Sequence, residues 1–200
     1  MSIVRASFFL VLTLLLALTA CATPPLPIGK PIPPGYLYKA KFLDIRSPNE
    51  EGWYLAAAAQ SGIQFTRHGD EKEETFVAQV STFPLPQFQD ADEFVNFIKR
   101  GFQADTSPDR FTVIKTNFKL SAARKYLCVN VAAVIEDKQA LTSAKHHEKL
   151  MLQSISLYCR HPVNKLAGFA IIYSHRGKSV YPGLSKDANA FIAGVQVPGY

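Results

Sequence analysis

The feature that most constrains this 200-residue chain is an uncharged run near its N-terminus, because that run decides the compartment in which the rest folds. It covers residues 6–20, ASFFLVLTLLLALTA, and follows a short segment with one basic side chain, Arg5. Fifteen residues are too few to cross a bilayer comfortably, but they match the hydrophobic region of a secretory signal peptide. We therefore expect residues 1–20 to direct export, and the remainder to fold in an oxidising compartment.

The run ends at Leu18-Thr19-Ala20-Cys21, which resembles the lipobox of bacterial lipoproteins. The resemblance implies that the signal peptide is removed before Cys21 and that the cysteine is acylated, which anchors a protein stably when more than one chain is attached. It also implies the outer membrane, on the periplasmic side, because an Asp after the cysteine favours the inner membrane and this chain has Ala22. Two alternatives are ordinary signal-peptidase cleavage, which would discard Cys21 and leave a soluble periplasmic protein, and an uncleaved inner-membrane anchor.

Residues 21–35 are expected to form an acylated cysteine followed by a proline-rich tether. Residues 22–35, ATPPLPIGKPIPPG, contain six of the chain's thirteen prolines. Proline fixes φ and lacks a backbone donor, so this segment is predicted to be an extended, semi-rigid spacer that reaches roughly 40 Å at most. The alternative is an unstructured leader. Residues 36–200 are then long enough for a single globular domain with its own core.

The composition and charge of the chain limit its possible partners. Hydrophobic residues make up 48% and charged residues 19% of the chain, which is ordinary for a folded protein. The formal net charge of +6 is unevenly distributed, with −6 over residues 40–109 and +9 over residues 110–200. A basic face favours lipid head groups, an anionic polymer or an acidic envelope protein, and a merely solvated surface is the alternative. We expect no nucleic-acid partner, since no zinc finger, helix-turn-helix or base-stacking motif is present.

Hydrophobic periodicity predicts the α+β class, with an antiparallel β-sheet, one main amphipathic helix packed on it and a short C-terminal helix. The main helix is predicted over residues 90–105, where Asp90 is the N-cap and Glu93 follows three residues later. The short helix is predicted over residues 185–197. Residues 36–43 are predicted to be a first strand or an extended entry to the domain. The other predicted strands are two strands within 52–69 around Gln60-Ser61-Gly62, 75–83, 110–120, 124–136, 149–159 and 166–174.

Three further features of these elements bear on the fold and on ligand binding. The apolar stripe of the main helix is interpreted as its docking face on the sheet, and it consists of Ala91, Phe94, Val95, Phe97, Ile98 and Phe102. The charged residues 70–74 are predicted to be a solvated loop. The order of the elements, with Gly52-Trp53 at the opening and a helix midway, is similar to that of the Mog1/PsbP-like α+β group.

Two cysteines remain in the domain, Cys128 and Cys159, and export favours their pairing. They lie in consecutive predicted strands joined by a polar loop near residues 137–148. In a hairpin with Cys128 opposite Cys159, the turn centres near residues 143 and 144, which is inside that loop. We expect a disulfide that stabilises the fold by roughly 3–4 kcal/mol in the chain-entropy model. Two buried free thiols are the alternative, and the absence of a Cys-x-x-Cys motif argues against a redox role.

No motif of the chain indicates catalysis, a metal site or a cofactor. The chain has no Gly-x-Ser-x-Gly turn, and Ser174 and His175 are neighbours in a predicted strand, which points their side chains to opposite faces. His146, His147 and Glu148 lack the spacing of a tetrahedral metal site and are interpreted as the polar turn of a hairpin. There is no calcium loop or glycine-rich phosphate loop. We therefore expect no catalytic residues, no metal ligands and no cofactor.

One group of basic side chains is a candidate binding site. The predicted hairpin over residues 158–177 is expected to bring onto one edge the side chains of Arg160, His161, Lys165, His175 and Arg176. Such a patch would bind a phosphate, a carboxylate or an acidic partner. The alternative is ordinary solvation of strand ends.

The sequence as a whole favours a membrane-anchored periplasmic lipoprotein that acts as a non-enzymatic interaction or accessory module at the outer membrane. The alternative function is a small-ligand or lipid-binding lipoprotein with a pocket between the sheet and helix 90–105. An enzyme with an unfamiliar site is a third possibility. Neither the ligand, the partner nor the oligomeric state follows from the sequence.

Overall fold

The computed structural model of the chain describes residues 29–40, 42–142 and 146–200. The predicted signal peptide, Cys21 and the first part of the tether lie outside these residues. The described residues form mostly antiparallel β-sheet with two helices, which confirms the α+β class. Within them, no helix is both long enough and apolar enough to cross a membrane.

The elements follow one another as β1 (Lys30–Pro31), β2 (Leu37–Lys39), β3 (Asp44–Arg46), β4 (Tyr54–Ala59), β5 (Gly62–His68), β6 (Thr75–Pro84), α1 (Ala91–Asp105), β7 (Phe111–Leu120), β8 (Cys128–Leu141), β9 (His147–Arg160), β10 (Ala167–Gly177), α2 (Leu184–Ala193) and β11 (Val195–Gln196). The strands predicted from residue 52 onward are present, with shifted ends. The single strand predicted over 36–43 is wrong, because the backbone N–H of Ala40 donates to the carbonyl of Leu43 and turns the chain back. This turn separates β2 from β3.

The strands form two sheets. The large sheet has the order β1-β4-β5-β6-β10-β9-β8-β7, and the small sheet has the order β11-β3-β2. Every strand pairing among the described residues is antiparallel, as the sequence predicts. The large sheet is therefore two meanders, β4-β5-β6 and β7-β8-β9-β10, which are joined through β6 and β10.

The two helices lie against opposite faces of the large sheet. Phe191 of α2 packs in the same cluster as Tyr173 of β10, together with the buried residues of the small sheet. Phe94 of α1 packs in a second cluster with Val129 of β8. Tyr173 pairs with Ile155, which pairs in turn with Ala132, so these three side chains share one face. Val129 lies three residues from Ala132 on the same strand and therefore points to the other face.

The sequence places the start of the folded domain at residue 36, but the folded domain begins before that residue. Lys30 pairs with Leu55 at the edge of the large sheet, and the side chain of Ile32 is buried in the main cluster. Pro31 is tolerated in β1 because an edge strand does not need every backbone donor. The predicted tether over residues 21–35 is therefore too long at its C-terminal end, since its last residues belong to the domain.

The ends of the helices follow from local hydrogen bonds. The N-cap of α1 is Asp90, whose Oδ1 accepts from the backbone N–H of Glu93 at 2.8 Å, as predicted. The side chain of Glu93 reaches one residue further back than in a standard capping box and accepts from the N–H of Gln89 at 2.8 Å. The C-terminal helix ends at Ala193 rather than at residue 197, because Val195 pairs with Ile45 in the small sheet.

Candidate functional site

A cleft with a volume of about 700 Å³ opens between the small sheet and the ends of β4, β5 and β6. One wall comes from the small sheet and its connection, with Tyr38, Leu43 and Ile45. The other wall and the floor come from the large sheet. Among the residues that the structure describes, the lining is apolar apart from the hydroxyl of Tyr38 and three polar side chains, Lys39, Gln60 and Thr82.

A row of paired residues on the large sheet explains why this space is open. Ala58 pairs with Ile63, which pairs in turn with Val80, so the three side chains lie on the face that lines the cleft. Ile63 and Val80 are buried, whereas Ala58 is exposed. The single methyl group of Ala58 leaves room that a large side chain would fill. The preceding residue, Ala57, pairs with Gln64 and points to the opposite face.

A second cavity of about 230 Å³ adjoins the cleft and shares Phe42, Leu43 and Thr82 with it. It extends toward the start of β10, where Phe169 forms part of its lining. Leu43 is buried and Phe42 is 38% exposed. The apolar space is therefore elongated, and the connection between β2 and β3 lies along it.

His161 lines the second cavity. Only 8% of the residue is exposed, and its Nδ1 accepts from the backbone N–H groups of Val163 at 3.3 Å and Asn164 at 3.0 Å. The imidazole meets the ring of Phe42 edge-on, with 5.5 Å between centroids. Burial lowers the pKa of His161 below its ordinary value, and a hydrogen bond with the Phe42 backbone opposes this only in part. The imidazole is therefore neutral at neutral pH and adds no charge to the cavity.

The structure does not assemble the predicted basic patch. Arg160 pairs with Gly168 at the turn of the β9–β10 hairpin, whereas Arg176 pairs with Leu152 near its other end. At about 3.3 Å per residue, an antiparallel strand separates these positions by roughly 25 Å. The prediction that one edge collects these side chains is therefore wrong, and the five residues form two groups: Arg160, His161 and Lys165 at the turn, and His175 and Arg176 at the far end.

The sequence interpretation missed a half-buried pair formed by His175 and Glu74. His175 is 2% exposed, and its Nε2 lies 2.8 Å from Oε1 of Glu74. The imidazole also packs against Phe76 and Tyr181, with centroid distances of 4.9 Å and 5.5 Å. Since 101 residues separate the two partners, no local pattern indicates this contact.

Glu74 ends the segment that was predicted to be a solvated loop. Burial raises the pKa of Glu74, but the hydrogen bond with His175 and those from the backbone N–H groups of Glu71 and Asp70 outweigh this effect. The pKa of Glu74 therefore lies below its ordinary value. The pair holds this loop against β10, which makes it a structural contact.

Cys128 and Cys159 face each other across β8 and β9, as the sequence predicted. Their Sγ atoms are 2.08 Å apart, which is a disulfide distance, and both residues are fully buried. The predicted register holds from Cys128 to Asp137. An irregularity between Asp137 and Ala140 then shifts it by one residue, so that Leu141 pairs with His147.

The other chemical groups considered in the sequence lie apart from the cleft. His147 and Glu148 are the first residues of β9, so the prediction that they form the hairpin turn is wrong. Nδ1 of His147 lies 3.1 Å from the carbonyl oxygen of Gln139. In the part of the chain that the structure describes, no three His, Cys, Asp or Glu side chains are grouped to hold a metal ion. Ser174 and His175 alternate along β10 and therefore face opposite sides of the sheet.

The space between α1 and the sheet, where the sequence placed a ligand pocket, contains two smaller cavities. One has a volume of about 230 Å³ with Phe97 and Tyr158 in its lining, and the other, of about 410 Å³, lies between Phe102 of α1 and Phe118 of β7. Phe94 lies fully buried beneath the helix. The cleft beside the small sheet is therefore the better candidate for a ligand.

A comparison with protein-family models found no match, and a search of curated proteins found none that is similar to this chain.

Proposed function

We propose that this chain is a membrane-anchored lipoprotein of the bacterial envelope whose folded domain binds a small apolar molecule in the cleft beside the small sheet. The observation that carries the proposal is the cleft, with its volume of about 700 Å³ and its mainly apolar lining. Small-molecule sites in proteins are typically concave, apolar and of roughly 300–1,000 Å³, with a few polar groups that orient the ligand. Lys39, Gln60 and Thr82 are the corresponding groups here.

The physical basis of binding is removal of apolar surface from water. Ile63 and Val80 form an apolar floor, and Leu43 and Ile45 an apolar wall. Each Å² of apolar surface that a ligand covers contributes about 25 cal/mol. The main helix has a different role in this proposal: its apolar stripe packs on the sheet through Phe94 and Ile98 and supports the fold.

Binding rather than catalysis fits the polar groups of the cleft. A nucleophile needs a base within hydrogen-bond distance. The hydroxyl of Thr82 instead donates to the backbone carbonyl of Ser61 at 3.2 Å. Lys39 is exposed at the rim. These contacts support a role for the polar groups in orienting a ligand.

The decisive variant is Ala58→Phe, which places a large ring in the cleft at an exposed position. The matched control is Ala57→Phe, which adds the same ring to the opposite face of the same strand. We would measure binding of the fluorescent apolar anion 8-anilinonaphthalene-1-sulfonate to the full-length acylated protein held in an amphipathic polymer. We expect Ala58→Phe to weaken binding at least about tenfold and Ala57→Phe to leave it nearly unchanged.

The paired design separates loss of the cleft from loss of folding, since both variants add the same apolar area. Circular dichroism and thermal unfolding of both variants should match those of the unmodified chain. If the two variants bind the dye equally well, the cleft does not bind apolar molecules and the proposal fails.

A second candidate function, that of an interaction module, is favoured by the outer edge of β7, along which no described strand pairs. This ten-residue strand is the last in the large sheet, and its exposed side chains include Ile114, Lys115 and Lys119. The lysines would complement an acidic extended segment of an envelope protein that adds to the edge as a further strand.

The edge is tested by in-cell photocrosslinking from residue 114, with the same photoreactive residue at Lys186 on α2 as control. One stoichiometric adduct from β7, lost in the double variant Lys115→Glu/Lys119→Glu, would support this function. Equal adducts from both positions, or a β7 adduct that survives the charge reversal, would count against it.

A further inference from the structure

The direction in which the chain enters the domain relates the cleft to the membrane. β1 runs antiparallel to β4, with Lys30 opposite Leu55. Residues that precede β1 therefore approach from the C-terminal end of β4, where Ala58 lines the cleft. Gly29 already lies against the backbone of Leu55, because a Cβ atom there would overlap its carbonyl oxygen. The chain thus enters on the side of the domain where the cleft lies.

The length of the preceding chain limits how far this side can be from the lipid. Eight residues, 21–28, lie between the proposed acylation site and Gly29, counting the cysteine itself. Even fully extended, they span at most about 29 Å. An acylated Cys21 would therefore keep the cleft within reach of the membrane surface.

The rim of the cleft has the side chains of a lipid-facing surface. Lys39 is exposed at the rim and is the charged residue among the described residues of the lining. Tyr38, which lines the cleft, packs edge-on against Tyr36, with 4.9 Å between ring centroids, and Tyr36 is 52% exposed. Phe42 is also partly exposed and lies between the cleft and the second cavity. Lysine and amphipathic aromatic side chains are typical of surfaces that meet lipid head groups.

We propose, on the basis of the binding function proposed above, that the cleft takes one acyl chain of an anionic phospholipid from the membrane that anchors the protein. The acyl chain lies over Ile63 and Val80 and continues past Phe42 into the second cavity. The anionic head group stays at the rim beside Lys39. The elongated shape of the joined cavities suits an extended chain, and the short tether favours a membrane lipid over a free fatty acid.

The test uses the full-length acylated protein reconstituted into phosphatidylethanolamine vesicles. The vesicles contain a trace of a photoreactive lipid with a diazirine in one acyl chain. This lipid is either phosphatidylglycerol or phosphatidylcholine. After irradiation, the adducts are located by peptide mass spectrometry. We expect intact phosphatidylglycerol on peptides that line the cleft, reduced at least about tenfold in Ala58→Phe and unchanged in Ala57→Phe. Lys39→Gln should reduce the phosphatidylglycerol adduct to the level of the phosphatidylcholine adduct.

Other outcomes would overturn this inference. One is an even spread of adducts over the surface, and another is an equal amount of adduct in the two alanine variants. The third is an absence of adducts on the cleft peptides. That result is also expected if the protein's own anchor occupies the cleft. If dye binding depends on Ala58 but phospholipid adducts do not, the proposed function stands and the lipid assignment falls. If neither depends on Ala58, both fall.

Discussion

At the scale of single residues, the contact between Glu74 and His175 shows how a charged loop residue becomes part of the fold. The carboxylate accepts from the imidazole at 2.8 Å and from the backbone N–H of Asp70 at 2.9 Å. The side chain of Glu74 is 18% exposed, so water cannot easily replace these hydrogen bonds when they are lost. The same carboxylate therefore orders its own loop and holds it against β10.

Replacing Glu74 with Ala should lower the free energy of unfolding at neutral pH by about 1–3 kcal/mol, because the Nε2 group of His175 is left buried without its acceptor. Glu71→Ala, in the same exposed loop, is the control and should change stability little. Denaturant unfolding of both variants measures the difference. Equal stability of the two variants would show that the pair contributes nothing.

The pH dependence of stability should follow from the same carboxylate. The pKa of Glu74 is lowered in the folded protein, so its ionised form stabilises the fold above the ordinary pKa of 4.5, and this contribution is lost as the pH falls through the lowered value. Asp137 behaves alike, since burial raises its pKa but the hydrogen bonds from Arg110 and from the backbone N–H of Gln139, together with the charges of Arg110 and Arg176, outweigh this effect. The unmodified chain should therefore lose stability below about pH 4.5, and Glu74→Ala should lose less over that range, with Asp137 contributing to the loss that remains.

At the scale of elements, the hairpin of β8 and β9 carries the pair of cysteines. Their pairing was predictable, because one facing pair fixes the register of an antiparallel hairpin. Pairing Cys128 with Cys159 places the turn inside the polar loop. The shift between Asp137 and Ala140 was not predictable, since an irregularity of one residue leaves no mark in the hydrophobic pattern. Asp137 at this point accepts two hydrogen bonds from Arg110, at 2.9 Å and 2.7 Å.

Replacing both Cys128 and Cys159 with Ala should lower the free energy of unfolding by roughly 3–4 kcal/mol, because a closed loop no longer restricts the unfolded chain. Unfolding in guanidinium, with and without reductant, measures this effect. The unmodified chain should run faster on a non-reducing gel than after reduction. Equal mobility, together with two titratable thiols in the unfolded protein, would exclude the disulfide.

The basic patch shows that predicted strand ends do not reveal which side chains lie close together in the folded sheet. Predicted strand ends placed Arg160 and His175 on one edge, but β10 extends to Gly177 and is paired along its whole length. The two residues therefore lie toward opposite ends of the hairpin. Strand boundaries depend on pairing with neighbours that lie far away in the sequence, so this error follows from information that the local pattern does not contain.

At the scale of the whole molecule, the cleft depends on how the small sheet sits against the large one. The class of fold and most elements follow from local periodicity, but the residues that meet at the cleft come from separate segments, as Leu43 and Val80 do. The run of alanines over 56–59 shows only that small side chains recur in a strand. Without the partner sheet, nothing in the sequence distinguishes a wall of a cavity from an exposed edge.

The proposed anchoring at Cys21 is tested on the entire chain. Cys21→Ser should abolish fatty-acid labelling and leave the signal peptide uncleaved, because the thiol proposed to carry the lipid is absent. Ala22→Asp is the matched variant: it should keep the label and move the protein to the inner-membrane fraction. Labelling with radioactive palmitate and membrane fractionation measure both. Unchanged labelling of Cys21→Ser would rule out the lipobox.

The two-residue strand β1 gives the molecule a mechanical asymmetry. Ile32 is fixed in the main cluster, and Lys30 and Pro31 are held at the edge of β4. Tension applied to the chain before β1 would therefore reach β4 before the rest of the sheet. With Cys21 acylated as proposed, a pull on the anchor would strain the cleft first, because Ala58 of that strand lines it.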